Sequence, residues 1–295
     1  MSFILSSDSC CDCHKSELKT HNIKYISMAY IIDDVEYRDH YDSDQEYRDF
    51  YGVLRSGKMS KTTQLSPFET AEYFEKLIKE EKGDIVHIAL SGGLSNTAVN
   101  AQLAAKEVME KYPDRKIYAI DSKAATQGQR YILDVARQLR DEGKSAQETA
   151  QYLEEVIERL HHFIFAKDLF HLKRGGRVSP AVAMVGSVLG IRPIIIINHK
   201  GQLVPFDKER GATKTLKYAV NAFKEYAKKD VSKAYIAHAD DIETAQELKN
   251  MLLEENLVKE VKIGYIGPII GTHTGPGTIG LVFEGEKRIK IDPQK

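Results

Sequence analysis

The sequence predicts an α/β protein of two domains, an N-terminal parallel-sheet α/β domain over residues 1–162 and a C-terminal α+β domain over residues 163–295. Three observations predict it. In the first half, short β-rich apolar runs alternate with longer segments of helical period, as in a parallel sheet flanked by helices. After about residue 165 the pattern changes to a hairpin, two helices and further strands, which reads as an α+β layer. No Pro-, Gly- or Ser-rich linker marks the change near 160–166, so the domains are expected to pack closely.

Taken in order, "SFILSS" reads as the first strand, followed by a short helix near 14–20 and the β-rich run "IKYISMAYII". Ser43 and Glu46 form a capping box that opens a helix to about Arg55. "SPFE" at 66–69 repeats the device, with Pro67 at the first helical position and Gly83 closing the helix. Strand "DIVHIAL" leads through "SGGLSNT" into a helix ending near Tyr112, and strand "KIYAIDS" leads through "KAATQG" into a helix to about Gly143. A third capping box, "SAQE" at 145–148, opens the helix before "HHFIFA". Beyond it, "IRPIIIINHKGQLVPFDKERG" reads as two strands joined by a turn at His199–Gly201. Then come a helix over 212–229, strand "KAYIAHA", a helix over about 241–255, and strands "VKIGYIG" and "TIGLVFE".

With 42 basic and 43 acidic residues the net charge is −1, so no global basic field recruits nucleic acid. No uncharged apolar run reaches the roughly 18 residues of a membrane span, and "AVAMVGSVLGIRPIIIIN" is broken by Arg192 and Pro193. The opening "MSFILSSD" lacks the features of a secretory leader, so a cytoplasmic protein is expected. Cys10, Cys11 and Cys13 sit beside His14, but no second Cys pair completes a closed zinc site. They are read as small, partly buried thiols, and no metal or cofactor is expected.

Ligands of parallel α/β sheets bind beyond the carboxyl ends of the strands. Those ends carry "SSDS" (6–9), "SGGLSNT" (91–97) and the pair Asp121–Ser122. Gly92 and Gly93 let backbone approach a ligand, and the following helix offers free N–H groups; Ser95 and Asn96 are then ligand contacts or simply the helix cap. "KTTQLSP" adds Thr62 and Thr63, turn hydroxyls ahead of a helix already capped by Ser66. "KDLFHLKRGGRVSP" places Lys173, Arg174 and Arg177 around a Gly–Gly turn, either a solvated basic turn or a lip facing an anion or partner. The densest glycine segment, "IGPIIGTHTGPGTIG" (266–280), reads as a glycine-shaped loop around His273, with Gly271 and Thr274 beside it. It lacks the second ligand of a metal site, the lysine of a P-loop and the serine elbow of a hydrolase. A histidine able to donate a hydrogen bond to an anionic or hydroxylated ligand remains.

In this order, "SSDS", "KTTQ", "LSGGLSNTAVNAQ", "IDSKAATQGQ", "FHLKRGGRVSP…DKERG" and "GPIIGTHTGPGTIGLVF" resemble the DegV family of bacterial fatty-acid-binding proteins, from about Phe3 to Phe283. The resemblance implies a DegV-like fold with one long-chain fatty acid in a tunnel between the domains. It implies a carboxylate held by Thr62 and Thr63, by Ser95 beside Asn96, and by His273 beside Thr274. Arg177, Gly271 and Ser122 would lie near the head group. Some members act as the acyl-carrying subunit of a fatty acid kinase, whose ATP-binding subunit makes an acyl phosphate for phospholipid metabolism. For those, Arg210 would face the partner. Lipid binding without catalysis is implied, with no membrane span and only transient membrane contact for lipid exchange. The chain departs from the family pattern where "DSCCDCH" replaces the usual opening, where Thr63 and Leu65 stand for serine and proline, and where Asn96 occupies a glycine position.

Tunnel walls are expected from "AVAMVGSVLGI", read as a helix, and from "PIIIIN", which ordinary core packing would explain equally. The competing reading is an enzyme, of dihydroxyacetone-kinase-like or hydrolase type, that uses His273; against it stands the lack of a nucleotide-binding motif.

Overall fold

Four short apolar runs of the first half pair side by side, with a helix between each one and the next. The computed structural model describes residues 3–39, 41–167, 169–178 and 190–292. Strands β1 (Ile4–Asp8), β2 (Ile23–Ile26), β6 (Ile85–Ala89) and β7 (Ile117–Asp121) form a wholly parallel sheet in the order β2-β1-β6-β7. Crossovers favour that arrangement because parallel neighbours cannot be joined by a tight turn. The sheet is flanked by α1 (Lys15–Thr20), α3 (Pro67–Glu80), α4 (Thr97–Lys111), α5 (Gln127–Asp141) and α6 (Ala146–Ile157). All three predicted capping boxes are formed, at Ser43–Glu46, Ser66–Glu69 and Ser145–Glu148, and the first of them opens α2 (Asp44–Arg55). Helix α3 ends at Glu80 with Glu81 extended, so Gly83 lies in the following loop instead of closing the helix.

The run "IKYISMAYII" is two strands. After β2 the chain leaves the parallel sheet and enters a three-stranded antiparallel one, order β4-β3-β5, made of β3 (Ala29–Ile32), β4 (Val35–Arg38) and β5 (Ser60–Thr63). Its tight hairpin is set by Asp33 and Asp34, both at positive φ, the pattern of a two-residue primed turn. Thr62 and Thr63 therefore sit on a strand, and not in the turn expected for them.

Strand β8 (Leu160–Phe165) opens the second large sheet, and the expected division between 162 and 163 falls inside it. The predicted hairpin forms as β9 (Ile191–Ile197) and β10 (Leu203–Arg210), followed by α8 (Ala212–Tyr226), β11 (Lys233–His238), α9 (Ile242–Glu254), β12 (Glu260–Tyr265) and β13 (Ile279–Glu284). The six strands run in the order β10-β9-β8-β13-β11-β12, and only β11 and β12 are parallel. On one face of this sheet, Phe163, Phe165, Ile194, Ile196 and Phe283 form a core with α8 and α9. Its other face turns towards the first domain, where Tyr235 and Val282 join the core of the parallel sheet.

Among the described residues, two further short α-helices are α7 (Phe170–Arg174), and α10 (Pro268–Thr274) between β12 and β13. The segment read as a glycine-shaped loop is thus partly helical. Pro268 occupies the first turn after Gly267, and Gly275 at φ +73 ends the helix. Among the described residues, no helix is long and apolar enough to cross a membrane.

Candidate functional site

Helix α10 is held from several sides, and this aims His273. Thr272 Oγ1 donates to Ser60 Oγ at 2.8 Å, and Tyr51 of α2 donates to the Ile266 carbonyl at 2.7 Å. A Cβ on Gly267 would collide with the buried Asp12 carboxylate, and one on Gly271 would press on the Tyr51 hydroxyl, so both glycines serve close packing. On the face left over, Ile269, Ile270, His273 and Thr274 line a cavity of about 220 Å³. Thr62, Thr63 and Gln64 line it from β5, Met28, Leu90, Leu94 and Ser95 from the parallel-sheet side, and Leu172, Arg177 and Leu203 from the second half.

The polar groups converge at one end. Thr62 Oγ1 and His273 Nε2 lie 2.9 Å apart, and either can be the donor. Burial, then the charges of Arg177 and His171, lowers the His273 pKa to about 4, so the ring is neutral at neutral pH. Its Nδ1 packs on Gly175, where a Cβ would collide with the ring. Ser95 Oγ pairs with Thr97 Oγ1 at 2.9 Å, and Thr274 Oγ1 donates to the Ile270 carbonyl at 3.2 Å. A neutral imidazole and several hydroxyls under a nearby arginine form a set suited to holding a carboxylate without a metal.

Behind this chamber lies a second one of about 50 Å³, walled by Ala125, Ile164, Ile197, Ala237, Ile266 and Val282 among others. Leu94, Leu203, Ile270 and Thr274 line both chambers and form the neck between them. On the outer side, Thr62, Arg177 and His273 also border a vestibule of about 240 Å³ with Lys61, His171 and Arg174 on its walls.

Of the residues singled out from the sequence, Thr62, Thr63, Ser95, His273, Thr274 and Arg177 meet in one cavity. Four stand apart from its walls. Asn96 is exposed at the start of α4 and makes no capping bond with its side chain. Gly271 faces α2, and Ser122 is wholly buried, its hydroxyl spent on Ala124. Arg210 is exposed at the far end of β10, about 23 Å along the strand from Leu203 at ~3.3 Å per residue. The "SSDS" hydroxyls are internal ties: Ser6 bonds to Tyr73 and His87, Ser7 to the Ile88 carbonyl, and Ser9 accepts from Met28 N. The cysteines form no disulfide, and Cys10 sits one layer behind the wall, its Sγ 3.3 Å from Met28 Sδ. From "PIIIIN" only Ile197 reaches the inner chamber: Ile194 and Ile196 face the opposite core, and Ile195, on the same face as Ile197, packs with Leu169 and Leu172 instead. The expected helical wall over 181–189 lies outside the described residues. Sequence reasoning missed Leu94, Leu203 and Ile270, whose signal was only an apolar residue beside each glycine-rich loop or turn. Among the described residues, no group of three or more His, Cys, Asp or Glu is placed to hold a metal.

A family model described as "uncharacterised protein, DegV family" matches residues 3–286. A DegV domain-containing protein of Clostridium perfringens is 38% identical over 290 residues, 97% of this chain and 98% of its own length. Among solved structures, a DegV lipid-binding protein from Thermotoga maritima is 28% identical with a TM-score of 0.83, covering 98% of this chain and all of its own. A DegV family protein from Thermus thermophilus, described for its fatty acid binding, is 26% identical with a TM-score of 0.86, covering 97% of this chain and 100% of its own.

Proposed function

This chain belongs to the DegV family, and on that premise we propose that it binds one long-chain fatty acid and presents its carboxylate to a separate, ATP-binding kinase subunit. The observation that carries the reading is the division of one cavity into two chemistries, hydroxyls and a neutral histidine at the outer end and an apolar chamber at the inner end. The carboxylate accepts hydrogen bonds from Thr62, Thr63, Ser95 and His273, while the tail passes the neck. Burying about fourteen methylenes at about 0.8 kcal/mol each supplies about 11 kcal/mol gross, so the tail dominates affinity and the polar cluster orients the head.

The basic vestibule favours the presenting role. His273 and Thr62 border both it and the outer chamber, so an approaching phosphoryl group meets Lys61, Arg174 and Arg177 beside the carboxylate. Arg210, exposed at the end of its hairpin, is the proposed partner contact. In this reading the chain binds and presents; the kinase subunit performs the chemistry in the cytoplasm, with transient membrane contact for lipid exchange.

Native mass spectrometry of the purified protein tests the reading: a co-purified fatty acid is expected, and delipidated protein should be stabilised when one is added. Absence of both overturns it, and acyl phosphate formation from ATP without a partner would favour an enzyme instead.

A further inference from the structure

Beside the neck the two halves of the molecule touch backbone to backbone. A Cβ on Gly93 would collide with the Gly201 carbonyl, and a Cβ on Gly201, already at φ +75, would collide with Ser91 Oγ. The wholly buried Ser91 hydroxyl donates to the Gly201 carbonyl at 2.7 Å and accepts from Gly93 N at 3.2 Å. Both partners are braced from behind. Asp121 Oδ1 accepts from Gly92 N and from Lys123 N, each at 2.9 Å. Asn198 Oδ1 accepts from Lys200 N at 3.0 Å and Gln202 N at 2.9 Å, which shapes the β9–β10 turn. The buried Arg288 guanidinium reaches across the seam and donates from Nη1 to the carbonyls of Lys123, at 2.7 Å, and Asn198, at 3.3 Å. Leu94 follows Gly93 immediately, and Leu203 comes two residues after Gly201; both line the outer and the inner chamber.

We propose that this Ser91–Gly93–Gly201 clasp is a specificity device: by fixing the loops that carry Leu94 and Leu203 it sets the width of the neck and so decides which acyl chains reach the inner chamber. The proposal rests on the fatty-acid reading above. Ser91 and the two glycines line neither chamber, so they act as positioning residues through the two leucines. A clasp of this kind needs glycine on both sides because only bare backbone lets the two loops approach this closely; its cost is a loop that tolerates no side chain.

Delipidated parent, Ser91→Ala, Leu203→Ala and Gly201→Ala are given an equimolar mixture of a straight saturated fatty acid and a cis-unsaturated one of equal length, and the bound ratio is read by native mass spectrometry. The parent is expected to discriminate between them. Ser91→Ala and Leu203→Ala should move the ratio towards one, by about fourfold for each methylene newly admitted past the neck. Gly201→Ala should do so most strongly if it folds; the other two variants decide the matter if it does not. A parent without discrimination, or folded variants that keep the parent ratio while only losing thermal stability, overturns the clasp as a specificity device. A parent that takes up neither acid, under conditions where it is folded, overturns the binding reading itself and the clasp with it.

Discussion

In the outer chamber the polar lining groups include Thr62, Thr63, Ser95 and His273, drawn from an edge strand, a helix-start loop and a seven-residue helix. In the inner chamber they are alternate residues of the six-stranded sheet, Ile164, Ile197, Ala237 and Val282, met by Ala125 from the loop before α5. The first set supplies few polar atoms in a defined geometry, the second an apolar wall of loose geometry. Hydrogen bonds exchanged with water contribute little net free energy but fix direction, whereas apolar burial contributes in proportion to area with no direction of its own. On the proposed function, orientation and affinity are thus separated between the two chambers, and substitutions at the two ends should fail differently.

The largest effect is expected at the inner end. Ala125→Phe should fill that chamber and exclude about four terminal methylenes, costing about 3 kcal/mol in binding of long chains. Shorter chains should keep their affinity, and titration with a chain-length series checks this; equal loss for all lengths would show that the head, and not the tail, had been disturbed. At the outer end, His273→Ala should cost only about 1 kcal/mol in binding, while phosphorylation by a kinase partner falls sharply. Equal acyl phosphate formation by variant and parent would remove His273 from that role. For Arg210→Ala lipid content should be unchanged and coupling to the kinase weaker, so a loss of lipid would refute its assignment to the partner surface.

The smallest effect is in the pH dependence of stability. Burial first lowers the pKa of His273, His161 and His238 to about 4 and that of His87 to about 3, below the unfolded value of 6.5. The unfolded chain therefore binds more protons between these values, and the fold loses stability as pH falls through that window. Asp39 runs the other way. Desolvation raises it from 3.8 to about 7, so the advantage of its protonated form is lost as pH rises through that range. Chemical unfolding from pH 7 to pH 4 should show His273→Gln with a shallower acid loss than the parent, and Asp39→Asn with a steeper one; no change in either slope would contradict the burial of these groups.

Much of the fold is legible in the sequence where local physics acts alone. The three capping boxes, the strand–loop–helix alternation and the turn at His199–Gly201 form as read, because each depends on neighbours within a few residues. The three-stranded sheet escaped notice because the break at Ser27–Met28 lies inside one continuous β-rich run, and only pairing partners distinguish its two halves. Helix α10 was hidden by its glycines, which look like loop punctuation until Tyr51 and Asp12 are seen packed against Gly271 and Gly267.

By itself the sequence determined the classes of the two sheets, the helix starts and the residue types able to hold a carboxylate, since propensity, capping and alternation are properties of short windows of chain. Tertiary structure alone decided that Thr62 meets His273 across 211 positions, that Asn96, Gly271 and Ser122 stand off the cavity wall, and that Gly93 closes on Gly201. Those are contacts between distant segments, set by how two sheets pack, and no local rule of spacing encodes them.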